Sequence, residues 1–300
     1  MSPFEPEHDL EVEPHNGIDA LLPQEMAERA EQIGVAKTRL AFESLLALAV
    51  LAGAFIAFGS AFSLVVTAGA EGAIPYGVTR LLAGLTFSLG LILVIVGGAE
   101  LFTGNNLMIM ACASGRVSPR ELLRAWALVY VGNFFGALSI AVLVFVAAGY
   151  THGNGAVGVS TLASAEAKTS FSAFEAFLHG VMANILVCLA TWLCFSARTT
   201  TDKIMAIVLP VAAFVAAGFE HSIANMYSLP LALLIKFCGP AEFWQTVGRT
   251  PAAYAHLTIT AALANLLWVT LGNMVGGIWV GITYWFIYLR KRAVAARAPA

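Results

Sequence analysis

Long uncharged, apolar runs dominate the chain. They cover residues 44–70, 81–99, 101–115, 125–165, 176–197, 204–219, 221–235 and 250–289. A membrane-crossing helix needs about 20 predominantly apolar residues. Four of the runs hold ordinary spans, roughly 44–68, 125–149, 174–197 and 255–289. The other four form two pairs, each interrupted by a single glutamate, Glu100 or Glu220. Alone, 101–115 and 221–235 are short for a full crossing. If each pair is one broken helix the chain has six spans, and if each member crosses separately it has eight.

Basic residues decide between these topologies, because cytoplasmic loops are enriched in Lys and Arg. With six spans and an internal N-terminus, only Arg80, Lys168, Lys236 and Arg249 of the 16 Lys and Arg lie outside. Twelve lie inside. With eight spans the split becomes even. The pattern therefore predicts an all-α membrane protein with six transmembrane helices, two of them broken, and both termini in the cytoplasm.

The two halves of the chain repeat one another. Gly98-Ala99-Glu100 precedes Asn105 as Gly218-Phe219-Glu220 precedes Asn225, with Glu and Asn five apart in both. Further on, Gly132-Asn133-Phe134-Phe135-Gly136 matches Gly272-Asn273-Met274-Val275-Gly276. Each half reads as span, broken span, then a span bearing GNxxG. Three is odd, so the halves insert in opposite orientations, as in many transporters and channels. The organisation predicted is a cytoplasmic N-terminal segment over 1–40, a transport domain over 41–290 with repeats at about 41–150 and 171–290, and a tail over 291–300.

Composition agrees with this reading. The 300 residues are 59% hydrophobic and 11% charged, against about 25% charged in soluble domains. The net charge of −2 and the absence of a large basic cluster give no reason to expect nucleic acid; the bilayer is the expected partner. The first residues hold Glu5, Glu7, Asp9, Glu11, Glu13 and Asp19 with no Lys or Arg before Arg29, unlike a secretory signal. Leu22, Met26, Ala30 and Ile33 recur at helical spacing behind Pro23, which suits a first helical turn. That helix either caps the domain or gates a pore. Cys112, Cys188, Cys194 and Cys238 form no CxxC pair and read as packing residues.

The breaks carry the candidate chemistry. Irregular backbone at membrane depth is tolerated only where protein or a water-filled cavity satisfies it. The returning half-helices begin near Asn106 and Asn225, and helix N-termini carry partial positive charge. Convergence of two such ends favours an anion or electron-rich solute. Thr103 and Asn105 sit in the first break, His221, Ser222 and Asn225 in the second, with Phe87, Leu91 and Phe214 as apolar neighbours. An ionisable residue inside a span is a functional candidate by default, and histidine titrates near neutral pH, which makes His221 the candidate proton donor or relay. Glu100 and Glu220 can serve the interrupted backbone. Asn184 either bonds a neighbouring helix or lines the pore.

The strings GGAELFTGNNL (97–107), ASGR (113–116), YVGNFFGAL (130–138), LPVAAFVAAGFEHSIANMY (209–227) and GNMVGGIWVGITYWFIY (272–288) resemble the formate–nitrite transporter family over about residues 35–289. The resemblance implies an aquaporin-like protomer, a homopentamer with one pore per protomer, and a small monovalent anion as substrate: formate first, with nitrite or hydrosulfide as alternatives. It implies that His221 is the central histidine and Thr103 the threonine of the first break, flanked by Leu101 and Phe102. Phe87, Leu91 and Phe214 map to a cytoplasmic constriction, Asn184 to a pore asparagine and Lys168 to a vestibule lysine; Leu101 and Phe102 are counted with the constriction, and Glu220 and Asn225, at the second break, with the substrate pathway. Glu100 and Gly104 depart from the aspartate and serine common in the formate branch. No cofactor is implied, and the location implied is the inner (plasma) membrane.

Two rival readings fit the residues less well. A neutral-solute channel needs no titratable group at a break, and NPA-type motifs are absent. An embedded enzyme or receptor would want a metal cluster, such as HExxH or grouped Cys and His, or a nucleophile–base pair, and none is present. The expectation is a transporter, not an enzyme, whose solute crosses as the protonated acid.

Overall fold

A computed structural model describes residues 20–291. The acidic stretch before residue 20 and the tail beyond 291 lie outside the described residues. The described chain is helical throughout, without strands. Helix α1 (Pro23–Thr38) has Pro23 in its first turn and the Leu22 N–H on Glu25 at 2.7 Å. It buries Met26, Ala27 and Ala30 against Met110, Trp192 and Leu289.

Five helices are long and apolar enough to cross a bilayer: α2 (Phe42–Thr67), α3 (Tyr76–Gly97), α5 (Pro119–Val146), α7 (Ala173–Ser196) and the last, which runs as α11 (Ile259–Tyr284) into a π-turn at Trp285–Leu289. Between them lie α4 (Ile109–Ala113), α6 (Ala156–Thr169), α8 (Thr200–Ala216), α9 (Ser222–Cys238) and α10 (Ala241–Val247). By length and composition the sixth candidate span is α9 taken with α10, while the expected interrupted pair, α8 and α9, is parted by the break at residues 217–221. Helix α9 then bends by 103° into α10. The breaks differ from the expected pair of similar halves. α3 is already 22 residues long and is followed by only a short 3-10 turn (Gly104–Met108) and α4, whereas α8 and α9 have 17 residues each.

Helix starts follow from local sequence. Ser118 with Glu121, Ser172 with Glu175 and Thr199 with Asp202 form reciprocal caps at α5, α7 and α8, each satisfying otherwise orphaned N–H groups. α2 packs against α5 and α3, and α7 against α11 and α8. The GNxxG glycines allow the closest approaches. A Cβ on Gly136 would fall on the Val50 carbonyl, and one on Gly276 on the Val181 carbonyl. Small residues let membrane helices approach at backbone distance. Large apolar side chains such as Phe135, Leu143, Val275 and Trp279 point outward, each about half exposed or more, as a membrane-facing surface requires.

Candidate functional site

Both long helices that end at a break stop in the same way. Gly98 and Gly218 have φ of 80° and 78°, the left-handed region that other residues avoid. The N–H of the next residue turns back onto the helix, Ala99 to Val94 at 2.9 Å and Phe219 to Phe214 at 3.0 Å. The exposed backbone is then satisfied by matching partners. Glu100 N–H donates to Leu48 at 3.1 Å, and Glu220 N–H to His179 at 3.3 Å. Asn133 accepts from Phe102 N–H and donates to the Ala49 and Glu100 carbonyls. Asn273 accepts from Ser222 N–H and donates to those of Gly180 and Glu220, every bond between 2.7 and 3.0 Å.

The central polar residue of each GNxxG therefore clamps a break, while its glycines bring the helix close enough to do so. The sequence showed the motif as a repeat; the clamp was missed, although an asparagine in each of two otherwise apolar spans was its signal.

The glutamates are equally paired. Glu100 Oε2 accepts from Asn105 Nδ2 at 2.7 Å and lies 3.0 Å from Lys37 Nζ. Glu220 accepts from Asn225 Nδ2 and from Lys168 Nζ, each at 2.7 Å. Both carboxylates are buried, where an unpaired charge would cost several kcal/mol. Lys37 was absent from the candidate residues. Its signal was positional: it precedes α2 by five residues, as Lys168 precedes α7 by five.

His221 is the N-cap of α9. Its Nδ1 accepts the Ala224 N–H at 3.2 Å. An amide N–H can only donate, so Nδ1 is unprotonated and the ring is neutral, with its proton on Nε2. That nitrogen lies 2.9 Å from Thr103 Oγ1. The hydroxyl oxygen accepts, and this bond joins the two breaks. The Phe214 ring is 6.0 Å from the imidazole and meets Phe87 edge to face at 5.6 Å.

A cavity of about 1250 Å³ reaches this point, lined by His221, Glu220, Lys168, Phe87 and Phe214 among others. A second, of about 230 Å³, lies beside α1 and is lined by Leu91, Leu101, Lys37 and Glu100 among others. The residues expected to form one constriction are thus divided. Phe87 and Phe214 face the cavity that holds Lys168, and Leu91 and Leu101 face the other. The Phe102 ring lines neither cavity; it stacks edge to face on Tyr130 at 5.0 Å and packs by Trp126. The expected placement of Phe87, Leu91 and Phe214 at one mouth does not match this arrangement, because Phe87 and Leu91 are a helical turn apart along α3.

Asn184 also lies behind the lining. Its Nδ2 meets the Asn106 side chain at 2.8 Å and the Asn273 and Thr103 carbonyls at 2.7 and 3.3 Å. It ties α7 to the first break and to α11 beside the Asn273 clamp. Thr103 is fully buried and lines neither cavity, although its neighbours Leu101 and Gly104 line the second. Asn225 has its second Nδ2 bond to Asn265 at 2.9 Å, and Asn265 holds the Lys168 carbonyl. Among the described residues no group of His, Cys, Asp and Glu could hold a metal ion.

An inverted repeat with two breaks tied at a buried donor pair, and a cavity on either side, defines a polytopic membrane protein of the channel and transporter class. The sequence profile described as formate/nitrite transporter matches residues 24–286. The Formate channel FocA of Escherichia coli K12 is 44% identical over 278 residues, 92% of this chain and 97% of its own length. That of Haemophilus influenzae is 40% identical over 88% of this chain and 93% of its own. A solved structure titled "Pentameric formate channel with formate bound" superposes with a TM-score of 0.79 at 46% identity, covering 83% of this chain and 98% of that one. An "FNT family ion channel" gives 0.74 at 28% identity, covering 88% and 98%. The chain belongs to the formate/nitrite transporter family.

Proposed function

We propose that this protein carries formate across the membrane, one molecule at a time through each protomer of a homopentamer, as neutral formic acid. The observation that carries the reading is the His221–Thr103 bond at the inner end of the large cavity, closed on one side by Phe87 and Phe214. A neutral Nε2–H offers an anion or acid a donor without placing a fixed charge in the pore. The relatives' names support formate over nitrite or hydrosulfide as the solute.

Energetics favour the neutral form. Moving a bare carboxylate into a medium of low dielectric costs up to tens of kcal/mol in the Born limit. Protonating an acid of pKa about 4 at pH 7 costs roughly 4 kcal/mol, at about 1.36 per unit. The Phe87–Phe214 pair on one side and Leu91 with Leu101 on the other make the passage the costly region for charge.

The proton is a solvent proton, taken from hydronium in the large cavity, so that formate and hydronium become formic acid and water and one proton enters with each formate. Nδ1 is occupied by the Ala224 N–H, so giving up the Nε2 proton would leave an imidazolate. Protonating the ring first would break the helix cap and set a cation against the positive end of α9. His221 therefore acts as a hydrogen-bond donor, with Thr103 as its relay to the first break. Glu220, Asn225 and Lys168 hold the second break in shape, and Asn184 ties the first to α11 beside the Asn273 clamp.

The same reading places both termini in the cytoplasm of an inner-membrane protein, so the Lys168 cavity opens outward. Formate uptake into proteoliposomes, compared with nitrite, hydrosulfide, acetate and lactate at one pH, tests the substrate. Formate transport no faster than through protein-free bilayers would overturn it.

A further inference from the structure

The large cavity is lined by five charged side chains that play different parts. Lys168, nearest the break, is held 2.7 Å from the Glu220 carboxylate, so much of its attraction for an anion is offset. Glu71 and Arg249 stand exposed at the edge. Arg80 remains. It is only partly exposed and shares the wall with Ala83 and Phe87 on one face of α3, two helical turns from the Phe87 ring.

Its guanidinium is anchored in a telling place. Nη2 donates to the Val215 carbonyl and Nε to that of Ala216, at 3.3 Å for the latter. These are the last-turn carbonyls of α8, the negative end of the helix dipole, and they would otherwise face arriving solute. Arg80 covers them and brings a full positive charge. Nη1 makes no hydrogen bond among the described residues. A planar guanidinium with two N–H groups committed and others open to the cavity suits a carboxylate acceptor.

We propose that Arg80 is the anion-loading residue of this vestibule. It receives a small monocarboxylate ahead of the Phe87–Phe214 passage, and its contacts to Val215 and Ala216 hold it there. This rests on the anion route proposed above and assigns its first binding step to Arg80 rather than to the ion-paired Lys168.

The test uses full-length protein in proteoliposomes, with formate flux measured against concentration. Arg80→Gln is expected to raise the half-saturating formate concentration about tenfold, the effect of losing one charged hydrogen bond, with a smaller change in maximal rate. Arg80→Lys keeps the charge and a donor but loses the planar fork that also holds the Val215 and Ala216 carbonyls, and its half-saturating concentration is expected to fall between those of the parent and Arg80→Gln. Charge is separated from shape by Arg80→Cys in a Cys238→Ser background, treated with a trimethylammonium-ethyl or a sulfonato-ethyl thiosulfonate. The cationic adduct should lower the half-saturating concentration and the anionic adduct raise it, on the same assembled protein. The Cys238→Ser parent reports modification elsewhere. Equal responses to the two adducts, or wild-type half-saturation in Arg80→Gln, would overturn the proposal. So would loss of assembly in all the Arg80 variants, which would make Arg80 a folding residue. Absence of formate flux in the wild-type protein would instead strike the underlying route.

Discussion

Replacing His221 separates its possible roles, because cap, donor and titratable group can be removed in different combinations. Phenylalanine removes all three. The lost cap costs α9 about 1 kcal/mol, which a helix with Ile223, Leu229 and Leu231 buried can absorb without unfolding. The lost donor acts on transport. A hydrogen bond to a charged group is worth about 1.5–3 kcal/mol, so flux should fall roughly 10- to 150-fold at sub-saturating formate. Asparagine, by contrast, is a favoured N-cap and can offer an N–H toward Thr103. His221→Asn should keep flux within about tenfold of wild type, the loss coming from its shorter reach. Its dependence on pH between 5 and 8 should be unchanged, because in this account the proton is a bulk solvent proton reaching formate in the cavity and does not come from the ring. The assay is initial uptake of labelled formate into proteoliposomes, with pentamer content checked by native electrophoresis. If His221→Asn assembles and conducts but loses the wild-type pH profile, the imidazole is the proton source and the solvent-proton route is wrong.

Phe87→Ala or Phe214→Ala opens the edge-to-face pair, so the flux of acetate or lactate relative to formate should rise; an unchanged ratio in the assembled double variant would make these rings packing residues only. Lys168→Met leaves the Glu220 carboxylate with Asn225 alone, and since that lysine is about one-fifth exposed the loss should be about 2–4 kcal/mol, toward the low end of the cost of breaking a buried pair. Adding Glu220→Gln should recover most of it, read as thermal stability in detergent; no recovery would mean the lysine acts through something other than this pair. Gly276→Ala drives a methyl into the Val181 carbonyl and should cost about 1–3 kcal/mol by overpacking, visible as a lowered melting temperature. Single cysteines replacing Glu5 or Ala298 should resist impermeant labels applied to intact cells, and ready labelling of either would reverse the proposed topology.

Much of this architecture could be read from sequence because membrane insertion forces it into composition. A run such as 44–68 must be apolar to cross, and the charge interrupting 81–115 or 204–235 marks the place where backbone leaves the helix. Matching Glu–Asn spacings of five then revealed the inverted repeat, since a repeat preserves chain separation even where other identities drift. Partners remote in sequence were harder to see. Lys37 reaches Glu100 from α1 and Asn133 reaches the Glu100 carbonyl from α5, contacts that exist only once helices pack. The division of Phe87 from Leu91 was equally hidden: four residues apart on α3 they share a stripe, but the break closes between the two cavities they face. Residue identity alone suggested a titrating role for His221, whereas the Ala224 N–H on Nδ1 is a property of the folded turn.

The central claim is passage as the neutral acid, and its most direct test is the voltage dependence of formate flux. Proteoliposomes with the wild-type protein would be clamped by potassium and valinomycin at zero and at about 100 mV, with the pH gradient set independently. One charge moving across such a potential gains about 2.3 kcal/mol per 100 mV, enough to alter an electrogenic rate many-fold. The account predicts a formate flux that follows the pH gradient, brings one proton with each formate and is indifferent to voltage. A formate flux that tracks the potential without proton uptake would contradict it.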